Sequence, residues 1–328
     1  MAQNNNKAVK KQTRADRRAA EAAALREQEE RAAKERRQQT IIGAIVAVIV
    51  VVLVAVAGVA IWRSVHPSED GGTSSNITID EAYTQLQQVA TKPSRADEQG
   101  GIVISNGGYG TKAEGAPTVA IYMDFLCPGC GSLHRELDDT LVEMMQAGQI
   151  NIELHFMAFM DRYSTDDYSS RAANAALYIT EHDDDPAHLL AFLQRMYAED
   201  FQPEEGSAYE SVSDDQIREQ AIAAGVSEDV ADGMFGGEYY DWLDAVDRYT
   251  PMRSELFNQS GSLKGSMSTP TVTINGHFWD LNDLTLADMT MYDGLLMSLG
   301  LDDADVGVAG VMPSIGADGE PISVTTGS

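Results

Sequence analysis

The sequence predicts a mixed α/β domain, interrupted by a helical insertion and preceded by one transmembrane helix. Three observations carry this. The stretch 118–125 (TVAIYMDF) is β-branched and aromatic and runs directly into Cys127, after which Leu133, Leu137, Leu141 and Met144/Met145 recur at helical spacing. Strand character returns at 271–274, while most of 165–259 reads as helix. The run from Ile41 to Trp62 is 22 residues without one ionisable side chain. At about 1.5 Å per residue it extends ~33 Å, enough to cross a ~30 Å hydrocarbon core.

Charge sets the orientation of that span. Residues 1–40 hold 11 Lys/Arg and 6 Asp/Glu, a net of +5, so the remaining residues carry −28 − 5 = −33. Arg31, Lys34, Arg36 and Arg37 crowd the amino side and only Arg63 follows Trp62, which places the amino end in the cytoplasm and the acidic bulk outside. A cleaved signal peptide has a shorter apolar core and a shorter basic leader, so the run reads as an anchor that stays. Residues 1–40 form a basic segment, helical by its Ala, Glu and Arg content. The strongly acidic exported part excludes a nucleic-acid partner, because binding phosphates requires a basic face.

Residues 63–78, with Pro, Gly and Ser/Thr, read as a linker. A folded domain then spans 79–300. It opens with a short amphipathic helix at 79–90, through Ala82, Leu86 and Val89, and a brief strand at 101–105. Residues 106–117 read as loop; their glycines precede no helix and so make no phosphate cradle. After the strand–Cys–helix unit comes a second strand at 150–159. The insertion, about 165–260, holds helical patterns at 170–180, 186–199, 213–224, 227–235 and 238–257, with Ser213 and Ser227 as N-caps. Asn275-Gly276 marks a two-residue hairpin between 271–274 and 277–280. A last helix covers 284–299, and the Gly/Ser/Asp-rich residues 301–328 read as a flexible tail.

The chemistry centres on Cys127-Pro128-Gly129-Cys130, the chain's two cysteines. Two cysteines exclude a disulfide-stapled scaffold and a four-cysteine zinc site. Lying between strand and helix, Cys127 is expected at the helix N-terminus with Pro128 at the first helical position, where its missing N–H is harmless. Unpaired backbone N–H groups and the helix dipole there stabilise a thiolate. Cys130 sits one turn in, near enough to close a disulfide. A bridge over so short a loop removes little unfolded-chain entropy, so the pair suits opening and closing better than stapling. His134 completes a C-x2-C-x3-H spacing, but as an expected exposed residue of the helix it is read as bland, and no metal is assigned. Downstream, Ser268-Thr269-Pro270-Thr271 places a proline directly before a strand, an awkward position unless the Thr269–Pro270 bond is cis.

DFLCPGC, a helix, a long helical stretch and then STPTVTING resemble the DsbA-type thiol–disulfide oxidoreductases, and more closely their membrane-tethered, thioredoxin-fold members in bacteria without a true periplasm. The resemblance spans roughly 115–299. It implies a thioredoxin-like fold with an inserted helical domain and, position by position, makes Cys127 the nucleophile, Cys130 the resolving cysteine and Pro270 the cis-proline facing them. Thr269 would then offer main-chain groups to an extended substrate. The chain departs from the family in two places. The buried acid six residues before the nucleophile is replaced by Ile121, leaving Asp124 as the nearest carboxylate and a candidate for proton transfer; and Gly129 stands where the best-known oxidase has a histidine.

The function expected from these readings is disulfide exchange with exported cysteine-containing proteins, at the outer face of the cell membrane and without a cofactor. The resemblance implies a quinone-linked membrane partner that re-oxidises the pair. The local helix terminus favours a stable thiolate, and distant acidic charge is screened over ~8 Å, which favours an oxidase. A tethered reductase or isomerase, and a non-enzymatic metal-binding or chaperone module, remain the alternatives.

Overall fold

The computed structural model describes residues 77–325. The basic segment 1–40, the span 41–62 and nearly all of the linker 63–78 lie outside the described residues; among those described, no helix is long and apolar enough to cross a membrane. Helix α1 (Ile79–Gln88) starts at a capping box in which Thr78 accepts from the Glu81 N–H and the Glu81 carboxylate reaches back to the Thr78 N–H. Strand β1 (Ile102–Ser105) forms a hairpin with β2 (Gly108–Tyr109) across Asn106-Gly107. Strand β2 falls in the predicted loop 106–117, although its turn carries the same Asn-Gly signal as Asn275-Gly276.

Strand β3 (Thr118–Asp124) lies parallel to β4 (Asn151–Met157), and α2 (Pro128–Gln146) makes the crossover between them. Strands β5 (Thr271–Ile274) and β6 (His277–Phe278) complete one six-stranded sheet in the order β2-β1-β4-β3-β5-β6, with β5 antiparallel to β3. The turn residues Asn275 and Gly276 have φ of 51° and 80°, the left-handed pair a tight hairpin requires.

Side-chain alternation divides the sheet into two faces. Val119, Ile121 and Met123 share one with their partners Ile152, Leu154 and Phe156, and Leu141, Leu190 and Leu193 close over it from α2 and α4. On the other, Tyr122 stacks on His155 at 4.0 Å, and Leu256 packs against Ala120 and Tyr122. With both faces covered, β3 is buried almost throughout.

The insertion comprises α3 (Tyr168–His182), α4 (Pro186–Met196), α5 (Asp214–Ala223), α6 (Glu228–Gly233) and α7 (Tyr240–Tyr249). Ser213 and Ser227 cap α5 and α6 as expected. Helix α7 ends at Tyr249, eight residues before the predicted limit; Pro251 follows, and two short 3-10 turns replace the helix because proline interrupts the backbone ladder. The predicted last helix is two, α8 (Leu281–Leu286) and α9 (Met291–Leu299). They are separated where Asp288 takes φ 54° and Thr290 starts α9 by accepting from the Asp293 N–H.

The reading of residues 301–328 as a flexible tail is corrected by the described part, 301–325. Fully buried Gln149 donates to the carbonyls of Asp305 (2.7 Å) and Val311 (3.0 Å) and accepts from the Gly307 N–H (2.8 Å). Asn275 donates to Gly316 and Gly319, and Ile322 to Ser298. Composition suggests a loose tail, but the side-chain amides of Gln149 and Asn275 satisfy its backbone, and Val306, Val311 and Ile315 pack against the core. Gln149→Leu is expected to destabilise the domain by about 2 kcal/mol, the scale of several lost hydrogen bonds and newly orphaned backbone groups. Urea unfolding checks the loss, and limited proteolysis should show cleavage moving into 303–320.

Candidate active site

Cys127 is the N-cap residue of α2, extended at φ −69° and ψ 118°, and Pro128 occupies the first helical turn. The placement follows from local sequence: β3 runs out at Asp124, the Cys127 N–H donates back to the Asp124 carbonyl, and Pro128 can begin a helix but not continue a ladder. Both cysteines are free thiols. Cys127 is 6% exposed, flanked by half-buried Pro128, Gly129, Thr269 and Pro270, whereas Cys130 is sealed at 0%.

The loop before β5 closes the site. The Thr269–Pro270 peptide is cis, and the Thr269 carbonyl accepts the Cys127 S–H at 3.2 Å. A Cβ built on Gly129 would fall 2.9 Å from Pro270 Cδ and 3.7 Å from Cys127 Sγ. Pro270 therefore rests against residue 129 and leaves no room for the histidine of the best-known oxidase without shifting that loop.

Environment splits the two thiols. The Cys127 thiol is held below its usual value, chiefly by the hydrogen bond from the Cys130 thiol, with help from the Thr269 side chain and the Cys130 backbone, and against burial and the Asp124 charge. Burial, and then the neighbouring Cys127, push Cys130 well above its own. The two thiols therefore differ in acidity, Cys127 the more readily ionised and Cys130 the more firmly protonated.

Asp124 stands at the end of β3 with no solvent exposure. Burial raises its pKa to about 7, even though its carboxylate accepts from the Leu126 N–H (2.9 Å), the Met160 N–H (3.0 Å) and the Ser169 hydroxyl (2.6 Å). Asp247, from α7, accepts from the Ala158 N–H in the same loop and is raised to about 8, again mainly by burial. Ile121 lies within the apolar face under α2. His134, expected exposed, is 3% exposed: Nδ1 pairs with Asp138 at 2.8 Å and the ring stacks on Tyr197 at 4.2 Å, which buries it under the insertion.

The insertion supplies what sequence reading missed. Ser169, Tyr197 and Gln202 approach the turn, Asp247 reaches the neighbouring loop at Ala158, and nothing in their local sequence marks them, since each arrives by long-range packing. Tyr197 lies flat against Phe125 at 5.3 Å, and Gln202 donates to the carbonyls of Phe125 and Cys127.

Fold and site together define an α/β dithiol domain with two thiols of unequal acidity at a helix entrance, opposed by a proline loop. A thioredoxin family profile matches residues 109–292, more than half of the chain, and the chain belongs to that family. Over 107 residues it is 29% identical to the serine/threonine-protein kinase PknE of Mycobacterium tuberculosis, a match covering 32% of this chain and 19% of the kinase. The chain thus spans about a fifth of the length of that relative. Among solved structures, reduced DsbA from Mycobacterium tuberculosis is 23% identical, with a TM-score of 0.46 over 58% of this chain and 89% of that one. MdbA, a thiol-disulfide oxidoreductase from Actinomyces oris, is 17% identical, with a TM-score of 0.45 over 61% and 89%.

Proposed function

We propose that the protein is an extracytoplasmic thiol–disulfide oxidoreductase that introduces disulfides into exported proteins. In this reading Ile41 to Trp62 anchors it in the cell membrane as a single span, with the amino end cytoplasmic and the dithiol domain outside. The observation that carries the reading is the division between the cysteines: Cys127 retains an exposed edge at the helix entrance, and Cys130 is sealed behind it.

In the oxidised enzyme a substrate thiolate attacks Cys127 Sγ, the Cys127–Cys130 bond breaks, and Cys130 leaves as a thiolate. Burial disfavours that anion, so Cys130 takes a proton, and we assign the buried Asp124 carboxyl, whose pKa is raised to about 7, as its source. A second substrate thiolate then attacks the substrate sulfur of the mixed disulfide, and Cys127 departs as the stabilised thiolate. The substrate gains a disulfide and the enzyme holds two electrons, which a membrane re-oxidising partner accepts. Thr269 and Pro270, beside Cys127, are the surface on which an extended substrate segment lies.

Direction follows from how far the Cys127 thiolate is stabilised. Redox titration of the full-length protein against glutathione is expected to give a potential nearer the oxidising ~−120 mV of DsbA than the ~−270 mV of thioredoxin. A value at the thioredoxin end would overturn the oxidase direction and leave the tethered reductase.

A further inference from the structure

Gln202 lies on the loop after α4, 75 residues from the reactive cysteine, and returns over the start of α2. Its Nε2 donates to the carbonyls of Phe125 (3.1 Å) and Cys127 (2.9 Å), and its Oε1 accepts from Arg135 Nη1 (3.2 Å). Arg135 also donates to the Tyr197 carbonyl at 2.8 Å, which ties the same guanidinium to the end of α4. The fit leaves no slack. A Cβ built on Gly131 would fall 1.9 Å from Gln202 Oε1, 2.6 Å from Arg135 Nη1 and 2.8 Å from Gln202 Cδ. Glycine in a helix is less favourable than alanine by ~1 kcal/mol, so its presence in the first turn of α2 has a local explanation in the amide it admits.

Carbonyl oxygens beside a thiolate disfavour the anion, and a donor that compensates their partial charge favours it. The Cys127 carbonyl receives one such bond from the Gly131 N–H, within the helix, and a second from Gln202. The remaining ionisable groups acting on the pair include Asp124, which opposes ionisation, while Arg135 reaches the turn through Gln202 and has Glu199 near it.

We propose that Gln202 is a positioning residue for disulfide exchange: it holds the Phe125 and Cys127 carbonyls, steadies the reactive turn and eases ionisation at Cys127 Sγ, and Gly131 is the space it requires. The proposal deepens the exchange function given above and rests on it. It makes the helical insertion part of the redox device, since removing one insertion-borne amide retunes a sulfur on the core fold.

The test uses the reduced full-length protein, with the Cys127 thiolate followed by its ultraviolet absorbance against pH and thermal unfolding recorded alongside. Gln202→Met keeps the length and removes both donors; Gly131→Ala keeps the helix and displaces the amide. Each is expected to raise the Cys127 pKa by about one unit, a tenfold loss of thiolate equivalent to about 1.4 kcal/mol. The double variant should go no further than either single one, because both remove the same contact. Gln202→Glu should raise it more, by placing a carboxylate against the two carbonyls. A Cys127 titration unchanged in Gln202→Met overturns the proposal, as does an additive double variant. If Gly131→Ala does not fold, the Met and Glu variants decide alone. Wild-type protein that exchanges no disulfide with a model peptide overturns the parent function, whereas the Gln202 effect is read on the thiol itself.

Discussion

Cys127→Ser is expected to reduce disulfide exchange to background, a loss on the order of a thousandfold or more, the scale of deleting a nucleophile. Cys130→Ala should behave differently. Cys127 still attacks or receives a disulfide, but the sulfur that would release the partner is gone, so covalent complexes with cysteine-containing peptides accumulate. The asymmetry follows from burial: Cys127 has an exposed edge beside Thr269 and Pro270, and Cys130 has none. Non-reducing electrophoresis after incubation with an oxidised peptide separates the two outcomes. Equal behaviour of the two variants, whether both inert or both trapping, would falsify the assignment of roles.

Asp124→Asn is expected to slow the displacement of Cys130 from the Cys127–Cys130 disulfide, the step that forms the mixed disulfide, about a hundredfold, the lower range for losing a proton donor or acceptor. The pH profile identifies the cause, because the wild-type rate should change through pH 7, where Asp124 titrates, and the variant's should not. Rapid-mixing fluorescence of the step provides the measurement. Rates equal to wild type across that range would leave Asp124 as a structural acceptor for Leu126, Met160 and Ser169.

Stability carries the same signature. The folded pKa of Asp124, about 7, lies above the unfolded ~3.9, so the folded state binds the proton more tightly. Its contribution is fully present below pH ~4 and is lost as pH rises through about 7, by up to ~4 kcal/mol. Asp247, raised to about 8, has the same sign and extends the decline to higher pH. Asp124→Asn should therefore flatten the wild-type fall in stability between pH 4 and 7 and leave the portion belonging to Asp247.

Much of the fold was legible because local signals agreed with the tertiary outcome. The β-branched run before Cys127, the apolar spacing of α2, the serine caps of α5 and α6 and the Asn275-Gly276 turn each specify structure within a few residues of themselves. Where the reading failed, a competing local rule or a distant partner decided. Pro251 ended α7, Thr290 began a separate α9, and Asn106-Gly107 formed a hairpin too short to show alternation. The tail was misread because its order comes from Gln149 and Asn275, side chains far away in the chain. His134 was misread because the insertion that covers it begins decades of residues later, and helical periodicity alone cannot show that a second domain layer lies on that face.

By itself the sequence determined where the thiols stand: two sulfurs three residues apart, a proline to start the helix at the first of them, and a proline before β5. Those are consequences of short-range geometry, which neighbouring residues dictate. Tertiary structure alone decided how the sulfurs differ. The hydrogen bond that Cys127 receives from Cys130 and the burial of Cys130 separate the two acidities, and packing brings Asp124 under Ser169 and Met160 and lays Gln202 on the turn that carries Cys127. Desolvation and hydrogen bonding depend on what surrounds a group in space, and for this site the surroundings are contributed by an insertion that has no pattern in common with the motif it serves.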